Sequence, residues 1–136
     1  MRVPGWRGAL FDYIRYNRDT PYTLGENDCW IFVTGAVTAM TDVDVSKPHR
    51  GNYKTVRGAL GIIRRAGASN MADFAATYFK ELPSPLYAQI GDIMAIPTDD
   101  AFGFALGVLT GERIQILTEN GIDSHDRSEA TRAFGV

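Results

Sequence analysis

The sequence TLGENDCWIFV, residues 23–33, contains the features around which we expect the rest of the chain to fold. A polar turn with Gly25 precedes Asn27 and Asp28, and the only cysteine, Cys29, opens a long apolar run. Asn27 or Asp28 can cap a helix here, because short polar side chains accept hydrogen bonds from the first helical N–H groups. A thiol at a helix N-terminus faces unpaired N–H groups and the positive end of the helix dipole, which lowers its pKa. The pattern therefore predicts a helix that carries a candidate nucleophile, Cys29.

The composition is that of one compact domain spanning residues 1–136. This length allows a real core but falls short of two domains. A single cysteine excludes an internal disulfide. The first five residues break before any apolar segment, so we expect no secretory signal, and no apolar run is long enough for a membrane span. The net charge is −2, but residues 1–70 carry +4 and residues 71–136 carry −6. Such asymmetry indicates two differently charged surfaces, either solvated or available to a partner.

Four helices are predicted within residues 1–82, from apolar side chains that recur at helical spacing. They span residues 6–17, 28–40, 55–66 and about 70–79. The second is apolar almost all round, which is typical of a buried central helix. Gly35 in its middle costs about 1 kcal/mol relative to alanine, so we expect another element to approach closely there. Residues 41–53 read as a long polar connection.

From residue 88 onward the pattern changes to that of strands. A glycine turn precedes a strand over residues 90–97, and further strands are predicted over 102–110, 113–118 and 130–136. Gly111 and Gly121 lie in the turn signals between them. Helices followed by strands predict an α+β fold, in which the helix carrying Cys29 lies on a sheet of about three to five antiparallel strands.

The order of a cysteine-bearing helix followed by an antiparallel sheet resembles a papain-like cysteine peptidase. More narrowly, Leu-Gly-x-Asn-Asp-Cys-x-x-Phe-Val at residues 24–33 resembles the nucleophile motif of the NlpC-like cell-wall endopeptidases. Ile-Gly-Asp-Ile-Met at residues 90–94 is similar to that family's next strand. Arg-Gly-x-Tyr-Lys-Thr at 50–55 and Ala-Leu-Gly-Val at 105–108 resemble small proteins encoded beside tail genes of phages and gene transfer agents. The resemblance implies that this protein lies at the tail tip of such a particle.

The resemblance makes Cys29 the nucleophile and requires a histidine at the start of the second strand to accept the thiol proton. Ala105 stands at that position here. Only His49 and His125 remain as sources of an imidazole. His125 lies in a polar segment, predicted as a loop, near where the family's third catalytic residue arises, so it is the candidate base. His49, in a basic loop, is the weaker candidate.

The combination of a retained Asn-Asp-Cys helix start and a missing strand histidine leads to two hypotheses. The first is a tail-tip structural protein of a phage or phage-like particle, made in the host cytoplasm, whose peptidase-like fold is catalytically impaired. Its partners are then the tail hub, distal tail and other tail-tip proteins. The alternative is an active peptidoglycan endopeptidase with Cys29 as nucleophile and His125 as relocated base.

Other kinds of site are not favoured by the sequence. The basic segment 47–54 resembles a weak nucleic-acid patch, but the negative net charge favours a solvated loop or a protein contact instead. No cluster of ligands has metal-binding spacing, so we expect no metal and no other cofactor.

Overall fold

The computed structural model covers residues 1–136 and contains four α-helices followed by six β-strands in one antiparallel sheet. The helices are α1 (Trp6–Asn17), α2 (Cys29–Thr41), α3 (Val56–Arg65) and α4 (Met71–Ala76). The strands are β1 (Lys80–Glu81), β2 (Ile93–Pro97), β3 (Phe104–Leu109), β4 (Arg113–Thr118), β5 (Gly121–Asp126) and β6 (Arg132–Gly135). Short 3₁₀ turns occupy Pro85–Tyr87 and Arg127–Glu129. The strand order is β1-β6-β2-β3-β4-β5, which confirms the predicted α+β class.

The sheet is larger than predicted, because two of its strands lack a strand-like sequence pattern. The two-residue β1 lies in the part of the chain expected to be helical, and it pairs with β6 at the opposite end of the sheet from β5. The segment around His125 was expected to be a loop, but it forms β5 and pairs with β4 along its length. β5 is an edge strand, so its polar side chains can remain in solvent while its backbone is paired. The fourth helix ends at Ala76 rather than at residue 79.

The central helix α2 lies on one face of the sheet. Its buried side chains form one core with inward-facing strand residues, among them Ile93, Leu106, Val108 and Phe134. Alternate strand residues point to the other face and form an outer cluster with Ala88 and Ala130, which lie outside the strands. Its strand members are Met94, Leu109, Ile114, Ile116 and Ala133. Because side chains alternate along a strand, each residue's place in a strand decides whether it can approach α2.

Helix α1 packs tightly across α2 at Gly35. The Tyr13 hydroxyl donates a 2.9 Å hydrogen bond to the backbone carbonyl of Phe32, and a Cβ atom at position 35 would lie 2.1 Å from the Tyr13 hydroxyl oxygen. Only glycine leaves room for this crossing. The predicted close approach at Gly35 is therefore confirmed, and Tyr13 is the residue that makes it.

The two ends of the chain are joined through Arg2 and Asp92. The guanidinium of Arg2 donates hydrogen bonds to the carbonyl groups of Ile90 and Val136, at 2.7 and 3.1 Å, and to the Asp92 carboxylate at 3.0 Å. Asp92 also accepts from the backbone N–H groups of Gln89 and Val136. Its carboxylate is thus occupied in holding the turn before β2. No helix in the fold has the length and apolar character that crossing a membrane requires.

Candidate functional site

A cleft of about 420 Å³ opens beside the N-terminus of α2. It is bounded by the loop before α2, the first residues of α3 and α4, the segment 100–102 and the adjoining ends of β3 and β4. Its walls are mainly apolar: Tyr22, Leu24, Tyr53, Val56, Ala59, Met71, Ala101, Phe102, Phe104, Ala105, Ile116 and Leu117, with Asp28, Cys29, Asp100, Thr118 and Glu119 as the remaining lining residues. No histidine, lysine or arginine lines this cleft.

Cys29 is the first residue of α2, one residue after the predicted start at residue 28, and its partly buried side chain lines the cleft. Burial raises the pKa of the Cys29 thiol to about 12, and the neighbouring Asp28 carboxylate raises it further. Hydrogen bonds with the backbone of Leu106 and Trp30 act in the opposite direction but do not offset these effects. The lowered pKa expected from the helix N-terminus is therefore wrong. Removal of the thiolate from water and the adjacent Asp28 charge both disfavour the ionised form of the thiol.

Asp28 has two structural roles at the start of α2. Its Oδ1 atom accepts a 3.0 Å hydrogen bond from the N–H group of Ile31, which makes Asp28 the N-cap. Its Oδ2 atom accepts hydrogen bonds from the N–H group of Gly25 at 2.9 Å and from the Tyr53 hydroxyl at 2.5 Å. The carboxylate is buried, and these three donors satisfy it. Asp28 is thus fully engaged in holding the loop and the helix start together.

Tyr53 was not singled out from the sequence as a residue of this site. Its buried side chain reaches Asp28 from the segment before α3. Burial raises the pKa of the Tyr53 phenol, and the Asp28 carboxylate raises it further, so the hydroxyl remains a donor. The approach depends on Gly25, which has a φ angle of +87° and where a Cβ atom would meet the Tyr53 carbonyl oxygen at 2.0 Å. The glycine in the opening motif was the one signal of this contact.

The mouth of the cleft is acidic and aromatic. Asp100 and Glu119 are exposed, while Tyr22, Phe102 and Phe104 are partly exposed. Burial raises the pKa of Tyr22 to about 12, and negative groups that include Asp28, Glu119 and Asp100 contribute to the same shift. The cleft therefore combines apolar walls with a negative potential.

The structure does not bring His125 to Cys29. His125 lies directly opposite Ile114 in the β4–β5 pairing, and Ile114 belongs to the outer cluster. Directly opposed residues share a face of the sheet, so His125 is on the face away from α2. Its Nδ1 atom lies 3.3 Å from Oε1 of Glu129. It is also four residues from the end of β5 that adjoins the cleft, which corresponds to about 13 Å along a strand.

His49 is buried in an aromatic cluster instead of lying in a solvated loop. Its Nδ1 atom accepts a 3.3 Å hydrogen bond from the indole N–H of Trp30, and its Nε2 atom lies 3.0 Å from the Tyr78 hydroxyl. The ring also packs edge-on against Phe74. Burial lowers the pKa of His49, which keeps the ring neutral. His49 thus anchors the long connection to α2, and it does not line the cleft that contains Cys29.

Ala105, where the family resemblance requires a histidine, lies at the edge of the cleft. Its side chain packs against the outer cluster, whereas its neighbours Phe104 and Leu106 belong to the core formed with α2. Phe104 therefore presents its ring on the side of β3 that faces the cysteine helix. A phenylalanine cannot accept a proton, so Phe104 was not predicted as a site residue.

No group of three or more His, Cys, Asp or Glu side chains is arranged to hold a metal ion. The catalytic roles given to Cys29 and His125 stay predictions from the sequence. The cleft contains a protonated thiol, apolar walls and acidic residues at its mouth. These features suit binding better than acyl transfer.

The fold and the cleft define an α+β protein with a cysteine at the start of a buried helix. The chain belongs to the family described as domain of unknown function (DUF6950), whose sequence profile matches residues 1–136. A search of curated proteins finds no match.

Proposed function

We propose that this protein is a structural component of the tail tip of a phage or phage-like particle. It has an NlpC-like, papain-related scaffold in which catalysis is impaired, and it docks on tail hub, distal tail or tail-tip proteins. The place in the particle rests on the resemblance at residues 24–33, 50–55 and 105–108. The loss of catalysis rests on the chemistry of the cleft.

The observation that carries the proposal is the environment of Cys29. Acyl transfer by a cysteine needs a base that takes the thiol proton and then delivers one to the leaving amine. The cleft contains no histidine, and burial raises the thiol pKa to about 12. At neutral pH the thiol is protonated and has no imidazole partner in the cleft.

The remaining acids in the cleft are poor substitutes for that base. Asp28 already accepts three hydrogen bonds, including one from Tyr53. Asp100 and Glu119 are exposed at the mouth of the cleft, and the Asp100 carboxylate accepts its hydrogen bonds from Thr98 and Phe102 rather than from Cys29. A mainly apolar cleft that has lost its base is still suited to holding a segment of another protein.

The competing function is peptidoglycan hydrolysis by Cys29. The test is digestion of purified peptidoglycan with the wild-type protein and with Cys29→Ser, followed by chromatography of the soluble peptides. We expect neither protein to release fragments above the buffer background. Fragments released by the wild type but not by Cys29→Ser would overturn the catalytically impaired assignment.

The proposed location needs a separate measurement. Particles purified from a producing culture should contain the protein, and images of them should show its density at the tail tip. Particles that lack the protein, while it is abundant in the soluble cell fraction, would contradict the tail-tip role.

A further inference from the structure

We propose that the cleft beside Cys29 holds a lysine or arginine side chain, flanked by apolar residues, from a segment of another protein in the assembly. This inference rests on the proposed docking role and specifies the chemistry of the partner. It follows from the charges, the aromatic rings and the apolar surface that the cleft presents together.

The charge of the cleft has one sign. Its acidic lining residues are Asp28, Asp100 and Glu119, and no cationic side chain lines it. Asp28 is occupied by its three donors, so the two carboxylates at the mouth are those available to a ligand. Neither Asp100 nor Glu119 forms a salt bridge within the chain. A cationic group is the charge complement of this surface.

The carboxylates at the mouth remain open to a donor from outside. Oδ1 of Asp100 accepts hydrogen bonds from Thr98 and from the N–H group of Phe102, which fixes the carboxyl group and leaves Oδ2 free. Lys54 and Arg57 are adjacent in sequence to the lining residues Tyr53 and Val56, but both are exposed and neither lines the cleft. The chain itself therefore supplies no cation to the two acids.

The rings of the cleft favour a cation on an apolar stem. Tyr22, Phe102 and Phe104 are partly exposed where they line it, and the faces of such rings attract ammonium and guanidinium groups. Lysine and arginine carry a charged end on an aliphatic chain that packs on apolar surface. One side chain thus satisfies both the apolar walls and the acidic mouth.

The apolar surface extends beyond what one such side chain covers. Val56 at the rim is 49% exposed, and the cleft volume is about 420 Å³. Apolar residues on either side of the cation would cover this rim. A peptide segment therefore fits the cleft better than a small free amine.

The test uses three short peptides with blocked ends: Gly-Leu-Arg-Leu-Gly, and the same sequence with Gln or Glu in place of Arg. Each is titrated into ¹⁵N-labelled full-length protein while amide shifts are followed. We expect the Arg peptide to shift the amides of Cys29, Thr118 and their neighbours. The Gln peptide should bind about fivefold more weakly, and the Glu peptide more weakly still. Raising the salt concentration from about 50 to about 300 mM should weaken the binding of the Arg peptide more than that of the other two peptides.

Variants identify the groups responsible. The double variant Asp100→Asn/Glu119→Gln should lower the affinity for the Arg peptide to that of the Gln peptide. Asp99→Asn is the matched control, because Asp99 is exposed and adjacent in sequence but does not line the cleft. It should bind as the wild type does. Both variants alter exposed side chains, so both should fold.

Several results would overturn the inference. They are equal affinity for the Arg and Gln peptides, an unchanged double variant, or no shifts with any peptide at millimolar concentration. Amide shifts that grow with protein concentration in the absence of peptide would show that a second copy of this chain occupies the cleft. Soluble peptidoglycan fragments that bind more tightly than the Arg peptide would point to a cell-wall ligand. If the peptides do not bind and peptidoglycan is not hydrolysed, only the inferred occupant of the cleft is refuted. If peptidoglycan is hydrolysed, the proposed function is refuted even if the Arg peptide binds.

Discussion

The hydroxyl of Tyr53 donates a 2.5 Å hydrogen bond to Oδ2 of Asp28, the residue that caps α2 immediately before Cys29. This contact joins two segments that are 25 residues apart in the chain. Because Asp28 is buried, its carboxylate needs hydrogen-bond donors from the protein in place of water. Tyr53 thus holds both the long connection before α3 and the start of the central helix.

Replacing Tyr53 by phenylalanine should lower the free energy of unfolding by about 2 kcal/mol, since a buried carboxylate loses one of its donors. Urea unfolding followed by circular dichroism measures the change. Tyr16→Phe is the control, because the Tyr16 side chain is 76% exposed, and it should change stability by less than about 0.5 kcal/mol. Equal stability of Tyr53→Phe and the wild type would contradict the structural role given to this hydrogen bond.

Two glycine-to-alanine variants should have opposite effects. Gly35→Ala places a Cβ atom 2.1 Å from the Tyr13 hydroxyl oxygen, so α1 must move and stability should fall by about 1–3 kcal/mol. Gly8→Ala lies in α1, where nothing is within 4 Å of the added atom, and stability should rise by about 0.5–1 kcal/mol from helix propensity alone. Thermal unfolding of both variants makes the comparison.

The clash predicted for Gly35→Ala can be checked by also changing Tyr13, the residue that the new Cβ atom would meet. Adding Tyr13→Phe to Gly35→Ala removes the oxygen atom nearest the new Cβ, so the double variant should recover part of the loss. A Gly35→Ala protein as stable as the Gly8→Ala protein would show that α1 does not pack as described.

The stability of the fold should depend on pH through His49. Burial lowers the pKa of His49 in the folded protein below its ordinary value of 6.5. The unfolded chain therefore takes up this proton first as the pH falls, so the contribution is fully present above about 6.5 and decreases below it. We expect the melting temperature to fall between about pH 7.5 and 5.5.

The two histidines provide a matched pair for this experiment. His49→Gln should reduce the slope of melting temperature against pH, because the buried titrating ring is gone. His125→Gln is the matched control, because it alters a ring on the outer side of the sheet and leaves the aromatic cluster around His49 unchanged. The same loss of slope in both variants, or in neither, would refute the assignment to His49.

The local features of α2 could be predicted from the sequence. Its start to within one residue, a cap at Asn27 or Asp28, and its burial follow from rules that act within a few residues. The close approach at Gly35 follows from the cost of glycine in a helix, although the partner, Tyr13, does not. The α+β class follows from the change of periodicity near residue 88.

The features that were missed depend on contacts between distant segments. β5 contains Asp123, Ser124, His125 and Asp126, which have no apolar alternation, and only its pairing with β4 makes it a strand. The burial of His49 depends on Trp30 and Tyr78, which lie far from it in the chain. The predicted direction of the Cys29 pKa shift was wrong. The helix N-terminus can be recognised in the sequence, whereas the burial of the thiol depends on the packing of distant segments.

The protonation state of the Cys29 thiol tests the central claim most directly, and the presence of a single cysteine makes the measurement unambiguous. The rate of alkylation by iodoacetamide should be measured against pH, with an unstructured cysteine peptide as reference. The thiol pKa of about 12 predicts slow alkylation at pH 7, and a rate that still increases above the reference value of 9.0 without a plateau. A plateau reached below about pH 8, at a rate faster than that of the peptide, would reveal an activated thiolate. That result would contradict the account of Cys29 as a protonated thiol in a docking cleft.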